Sequence, residues 1–516
     1  MGKMKPAGKF VLYVLGCAAI AGSIFAARKY IVPEGQQTKS ISGMMAGPNA
    51  SGSSGAMSDK KNKCIEIGVN TWGGFIGAQY WNNGFLDNPG SKYHQDGICV
   101  NFHKMDDFGP SRNSFRSGDR DLMWSTIDSF PTESGSFGDV KWLFPVDWSR
   151  GGDAIVVTDK ITSVANLAGK KVAVAETTPS HTFLLWMLDL GGLSITDITV
   201  VKVENGIDAA AAFKAGKVDA AVVWSPDDDD CVKAIKNSSV LVSTKKAGSI
   251  IADGFFVKAS VYNERRDELL KLVRGWYKGA AEVNSSPTAK KKAVQILVDG
   301  LGIDAEFALN AINNTHLFTY GDAKDFIGLN TKYTGVTGQE LYEKMTKVYG
   351  SLNLADNALS WDKIADPQFI KDLNMDTEDG MTSEKKIVFK APTQTESAAP
   401  AIASKPIRVS FAHNSSVLDE NGKQLVDLKL VVLIKAFPSS RIRVEGNTDS
   451  TGSVSINRTI SKARAQSVVD YLVSEHQMDK NRFITVGNGS DKSVCSDESE
   501  TCMAKNRRTE FQILEN

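Results

Sequence analysis

Arg443-Val444-Glu445-Gly446-Asn447-Thr448-Asp449-Ser450-Thr451-Gly452 is followed by Asn457, by Ser461-Lys462-Ala463-Arg464-Ala465 and later by Asn506-Arg507-Arg508. Arg443 to Glu445 alternates like a half-buried strand, Asn447 to Gly452 has the composition of a polar turn, and Ile460, Ala463, Val468, Tyr471 and Leu472 recur at helical spacing. A polar loop entering an amphipathic helix brings Asp449 and Arg464 within reach of one ligand. A guanidinium suits a carboxylate through paired N–H donors, while an aspartate suits an amine. Taken alone, Asp449 caps a turn and Arg464 is a surface arginine.

Outward from this stretch, Ile407 to Phe411 reads as a strand, and Asp419 to Ala436 as a helix carrying Leu425, Leu428, Val431, Val432 and Ile434. Ile456 to Ser474 is a second helix, Phe483 to Gly487 a strand, and Ala504 to Leu514 a turn with the last strand. The motifs in this order closely resemble the OmpA-like peptidoglycan-binding domain, over residues 405–516. The resemblance implies an α+β domain in which Asp449 and Arg464 hold the ammonium and free carboxylate of the diamino acid in the cell-wall stem peptide. Asn457 and Arg508 match supporting positions. Asn447 departs from the family, which often has histidine there.

With 516 residues the chain is long enough for several domains. Sixty basic and sixty acidic side chains cancel. With no basic stripe and no interleaved aromatics, nucleic acid is excluded as a partner. Of six cysteines, Cys64 with Cys99 and Cys495 with Cys502 form two local pairs suited to disulfides in an oxidising compartment; free thiols are the alternative.

Phe10 to Ala27 is almost wholly apolar and follows Lys3, Lys5 and Lys9. Residues 1–9 are expected in the cytoplasm and 10–28 as a transmembrane helix or uncleaved signal anchor, since no clear cleavage site follows. Val14-Leu15-Gly16-Cys17 is a weak lipobox. Residues 29–63, rich in Gly, Ser, Ala and Met, read as a flexible linker. The expected location is the bacterial inner membrane, single-pass, with the bulk of the chain in the periplasm. The layout resembles flagellar-motor stator B proteins, but Phe10 to Ala27 contains no acidic residue for proton conduction. A channel or transporter remains a candidate partner for this helix.

From Cys64 strands and helices alternate, which predicts an α/β domain. Gly118 to Ser129, Ile161 to Val174 and Ala215-Gly216-Lys217-Val218-Asp219-Ala220-Ala221-Val222-Val223-Trp224-Ser225-Pro226 resemble the periplasmic solute-binding proteins of ABC importers, of the nitrate, sulfonate and glycine-betaine type. The resemblance covers residues 64–375 and implies a two-lobed type II periplasmic-binding-protein fold, with lobe one at about 64–157 plus the return after 253. Strand-end residues then line a cleft. Trp72, Trp124, Asp128, Thr177, Thr178 and Trp224 are the candidates, with Asp128 or Asp227 as the carboxylate. Tryptophan faces suit an ammonium, whereas threonine hydroxyls and helix-start amides suit an anion, so the charge of the solute stays open. Asp227 to Asp230 equally suit the positive end of a helix. Residues 376–404 read as a second linker.

The six histidines are scattered, with no His-Glu-x-x-His, Cys-x-x-Cys, Walker or nucleophile-elbow pattern. A non-catalytic protein without metal or cofactor is expected. One reading is a membrane-tethered periplasmic protein that binds or senses a small solute and binds peptidoglycan. The other is a membrane-to-wall scaffold whose two-lobed domain is a protein-interaction module without ligand.

Overall fold

The computed structural model describes residues 63–409, 411 and 415–515. The segments read as membrane helix and first linker lie outside the described residues. Among the described residues no helix is long and apolar enough to cross a membrane.

The chain opens with strands β1 (Ile65–Val69), β2 (Val100–Lys104), β3 (Leu122–Thr126) and β4 (Val140–Ser149). It crosses to β5 (Asp153–Val157), β6 (Lys171–Ala175), β7 (Thr199–Val203), β8 (Ala220–Trp224) and β9 (Ser239–Ser243), then returns through β10 (Ala252–Lys258) and β11 (Thr315–Leu317). It ends with β12 (Ala401–Ile407), β13 (Ile442–Asn447), β14 (Phe483–Gly489) and β15 (Thr509–Leu514). Three sheets result, in the orders β11-β4-β10-β3-β1-β2, β7-β6-β8-β5-β9 and β12-β15-β13-β14. The first two are the lobes of one α/β domain. In lobe one β1 runs parallel to β2 and β3 while β10 is antiparallel to β3 and β4. In lobe two β6 runs parallel to β7 and β8, and β5 is antiparallel to β8 and β9.

Strands covered on both faces read as continuous apolar runs, and β3 and β5 are buried along their whole length. Such a run does not say which sheet it joins. Expected in lobe one, β5 instead pairs Asp153 with Trp224 and Val157 with Ala220 in lobe two. The chain therefore changes lobe at Arg150 to Gly152, not after residue 157. The helix Pro179–Leu190 starts on proline, whose fixed φ suits the first turn, and is apolar almost all round because it packs between elements.

In the terminal domain β12 pairs with β15 from Ala401 to Ile407. Residues 401–404, expected as linker, are thus strand; small alanines conceal a strand whose Ile402 and Ala403 are buried. The helix expected over Asp419 to Ala436 is broken into Glu420–Val426, a π turn at Asp427–Val431 and Val432–Lys435. The helix Val454–Ser474 is capped by Ser453, whose Oγ accepts from Ile456 N at 3.3 Å. It lies tight on the sheet because Gly446 and Gly487, register partners on β13 and β14, leave a groove. A Cβ on Gly446 would stand 2.0 Å from the Ser461 carbonyl oxygen, and one on Gly487 2.5 Å from that of Arg458. Gly446→Ala must lift the helix off the sheet, and overpacking of this kind costs about 1–3 kcal/mol or more. Urea unfolding of this variant is expected to show a lowered midpoint with an unchanged slope.

Cys64 is bonded to Cys99 and Cys495 to Cys502. The terminal domain packs on both lobes: Lys405 Nζ lies 2.5 Å from Asp189 Oδ1, and Lys435 Nζ 2.8 Å from Glu340 Oε1. A cavity of about 380 Å³ opens at this junction, lined by Trp148, Arg150, Phe318, Tyr333, Glu384 and Phe389 among others.

Candidate functional site

In the terminal domain Asp449 sits in the loop that leaves β13 for the long helix. Its Oδ1 accepts from the Thr451 amide at 3.0 Å and from the Thr451 hydroxyl, and its Oδ2 accepts from Arg507 Nη1 at 2.7 Å. Burial raises its pKa, but the bonds from Thr451 and Arg507 outweigh burial and hold the carboxyl below the usual range. Arg464 projects from the helix. Its Nε donates to Ser415 O at 3.4 Å, and its guanidinium lies 5.0 Å from the centre of the Phe411 ring. Burial lowers the Arg464 pKa while the Asp449 charge opposes that, so the two groups feel each other across the site. Asn457 ties the loop down, donating to Thr451 O at 3.0 Å and Asp449 O at 3.4 Å. The buried Thr448 hydroxyl oxygen has no hydrogen-bond partner.

Arg508, expected at this site, points elsewhere: it donates to Glu510 Oε1 at 2.8 Å and Lys492 O at 2.9 Å and braces the sheet. Its neighbour Arg507 takes the place on Asp449 and also meets Glu500. Arg507 caps the end of the helix Glu500–Asn506 and Arg508 is the residue before β15, so the two neighbours belong to different local conformations and meet different partners.

Between the lobes a second group of side chains converges. Trp72 Nε1 donates to Asp147 Oδ2 at 3.1 Å. Asp147 on β4 is the register partner of Asp253 on β10, itself opposite Thr126 on β3. Asp128 follows β3. Asp153 opens β5 and accepts from Ser180 Oγ at 2.7 Å, and that hydroxyl accepts from Trp224 Nε1 at 2.9 Å. All four carboxyls are buried, the most exposed at 5%. Burial pushes Asp128, Asp147 and Asp153 up to about 7. Asp253 is likewise held well above the usual carboxylate range, through burial first and then the charges of Asp147 and Asp128. The Asp128 carboxylate is without a hydrogen-bond partner at either oxygen. The nearby hydroxyls of Thr182 and Thr126 lower its pKa, and they lie 2.8 Å from the Tyr349 hydroxyl and 2.7 Å from that of Ser129.

Four of the cleft candidates stand apart from this group. Trp124 packs in the core of lobe one, 5.2 Å from Phe108 and 4.9 Å from the Arg112 guanidinium, because the inward face of β3 is covered by the helix Phe108–Ser117. The Thr178 hydroxyl is spent on Ala175 O at 2.8 Å. Asp227 begins the helix Asp227–Ala234 and meets Lys214 at 3.8 Å, in keeping with a helix-start role. Thr177 is exposed in a left-handed conformation (φ 60°), its N–H donating to His181 Nδ1 at 3.2 Å. Asp147, Asp153, Asp253 and Ser180 escape a reading of the sequence. The trace they leave there is a single charge inside an apolar strand, as in Val146-Asp147-Trp148 and Ala252-Asp253-Gly254-Phe255.

Residues 410–507 match the model of the OmpA family, and residues 153–290 match the model described as NMT1/THI5 like. The chain thus joins an NMT1/THI5-like α/β domain to a C-terminal OmpA domain. It is 36% identical over 104 residues to outer membrane protein A of Bordetella avium, covering 20% of this chain and 53% of that protein. It is 33% identical over 118 residues to the peptidoglycan-binding protein ArfA of Mycobacterium tuberculosis, covering 23% of this chain and 35% of that protein. The chain therefore spans about a third to a half of the length of these curated relatives. Among solved structures, the periplasmic aliphatic sulphonate binding protein SsuA of Escherichia coli aligns at 17% identity and a TM-score of 0.47, covering 59% of this chain and 97% of that one. The periplasmic nitrate-binding protein NrtA of Synechocystis PCC 6803 aligns at 13% identity and a TM-score of 0.45, covering 63% and 92%.

Proposed function

We propose that this protein is a non-catalytic periplasmic binding protein, tethered to the inner membrane by residues 10–28, that grips peptidoglycan with its terminal domain and captures a small solute between its two lobes. The observation that carries the reading is that Asp449, held ionised in its loop by Thr451 and Arg507, and Arg464 on the helix that follows feel each other's charge. An aminocarboxylate presents both charges on one carbon, and this pair offers a partner to each. The ammonium settles on Asp449 in competition with Arg507, and the carboxylate lies between the Arg464 and Arg507 guanidiniums. The naming of ArfA as a peptidoglycan-binding protein supports this use of the domain. Co-sedimentation of the full chain with purified sacculi tests it: the protein is expected in the pellet and is expected to be released by free meso-diaminopimelate. Protein that stays in the supernatant would refute wall binding.

One observation favours the scaffold reading. The lobes are in contact, with Thr182 Oγ1 2.8 Å from Tyr349 Oη and Asn314 Nδ2 donating to Ser225 Oγ at 3.2 Å, and the terminal domain is packed on both. In that reading the two-lobed domain serves as a protein-interaction module linking membrane to wall.

A further inference from the structure

Four aspartates are brought together at the hinge by separate elements: Asp128 after β3, Asp147 on β4, Asp153 on β5 and Asp253 on β10. Asp147 and Asp253 face each other on neighbouring strands, both buried, and share a hydrogen bond that keeps the proton on Asp253 and leaves Asp147 the acceptor. The basic side chain whose charge reaches the group is His316, felt at Asp147. His316 is already placed 3.4 Å from Asp322 and 3.9 Å from Glu384. A fold keeps uncompensated buried carboxyls only at a cost, and such groups concentrate where a ligand completes them.

Asp128 is the independent sign of a ligand. Its carboxylate is fully buried with neither oxygen hydrogen-bonded, and its charge reaches Asp253. Two half-buried indoles flank the four acids, each with its N–H tethered so that the ring orientation is fixed. Trp72 is held by Asp147 and Trp224 by Ser180. Ring faces so fixed favour a cation.

We propose that Asp128, Asp147, Asp153 and Asp253 form the recognition site for an organic cation bearing at least one primary or secondary ammonium, with Trp72 and Trp224 at its edges. The assignment rests on the reading of the two-lobed domain as a solute trap and gives that solute its charge. The ionised form of these acids matches a cation, whereas an anion is matched only by their protonated form. A single metal ion is disfavoured because, among the described residues, these carboxylates do not gather three oxygens within 4.8 Å of one another. A cation spread over several ångströms meets separate carboxyls in turn, and its arrival displaces the protons that burial keeps on them.

Titration calorimetry of the full chain near pH 7, in two buffers of different ionisation enthalpy, tests the assignment with putrescine and spermidine as cations and methanesulfonate and nitrate as anions. Saturable binding of a polyamine with net proton release is expected, and Asp128→Asn is expected to weaken it at least tenfold. The buffer dependence gives the proton count without any variant, so the test stands even if Asp128→Asn fails to fold. Binding of an anion and of neither polyamine would overturn the cation assignment while leaving solute capture intact. Absence of binding by all four probes at millimolar concentration would overturn both.

Discussion

Asp449→Ala and Arg464→Ala chains are expected to lose at least about thirtyfold in affinity for meso-diaminopimelate. Truncating one partner of a desolvated, hydrogen-bonded charge pair costs about 2–5 kcal/mol, and the lower end of that range is a factor of roughly thirty. Both losses have a physical origin in the unbound site. Asp449 is prearranged by Thr451 and Asn457, so the ligand ammonium meets a carboxylate whose orientation is already fixed. Arg464 is half-buried against Phe411, so its charge acts through little solvent. Arg508→Ala separates binding from folding. Its guanidinium braces Glu510 and the Lys492 carbonyl, so this variant is expected to unfold earlier while its folded fraction binds with unchanged affinity. Isothermal titration with the ligand, beside thermal unfolding of each variant, reads both effects. The carboxyl of Asp449 lies below its ordinary range, so affinity is expected to hold on mild acidification and to fall only below about pH 4, where aspartates ordinarily take up a proton.

The second large effect is on stability against pH. The Asp128 carboxyl is raised from 3.8 to about 7. Between those values the folded chain holds a proton that the unfolded chain has released, so stability is greatest at the acid end of the window and is lost as pH rises through it. Above about pH 7 the loss is complete and constant. A carboxyl raised this far loses at most roughly 4 kcal/mol across the window, and Asp147 and Asp153 act in the same direction. Asp128→Asn and Asp253→Asn are therefore expected to raise the melting temperature at pH 8 and to leave it nearly unchanged at pH 4. A wild-type melting temperature that rises between pH 5 and 8 would contradict the burial of these acids. A polyamine present in excess is expected to cancel the loss at pH 8, because it supplies the missing counter-charge.

These two effects differ in how far they were legible in the chain. The strand, loop and helix around Asp449 are local: alternation, a polar turn and helical spacing lie within a few tens of residues, so the elements could be read in order, while the roles expected of Asp449, Asn457 and Arg464 rested on the family resemblance. What locality does not supply is which of two adjacent arginines faces the loop, because that depends on how the helix Glu500–Asn506 hands the chain over to β15 at Arg507 and Arg508. The hinge acids are the opposite case. Asp147, Asp153 and Asp253 belong to strands of two sheets, and only the crossover at Arg150 to Gly152 and the return into β10 bring them together. Trp124 shows the same limit from the other side. A tryptophan at a strand end looks the same in sequence whether its face meets a cleft or a helix, and here the helix Phe108–Ser117 covers it. The glycine pair Gly446 and Gly487 was silent for a related reason, since a close approach of helix to sheet leaves no periodic trace.

The most direct measurement is a crystal structure of the chain with meso-diaminopimelate at saturating concentration. The ligand ammonium is expected on Asp449, its carboxylate against Arg464, and Arg507 moved off Asp449 to share that carboxylate. Ligand density away from the loop after β13, or an Asp449–Arg507 pair left intact beside a ligand bound elsewhere, would contradict the assignment of this loop and helix as the wall-binding site.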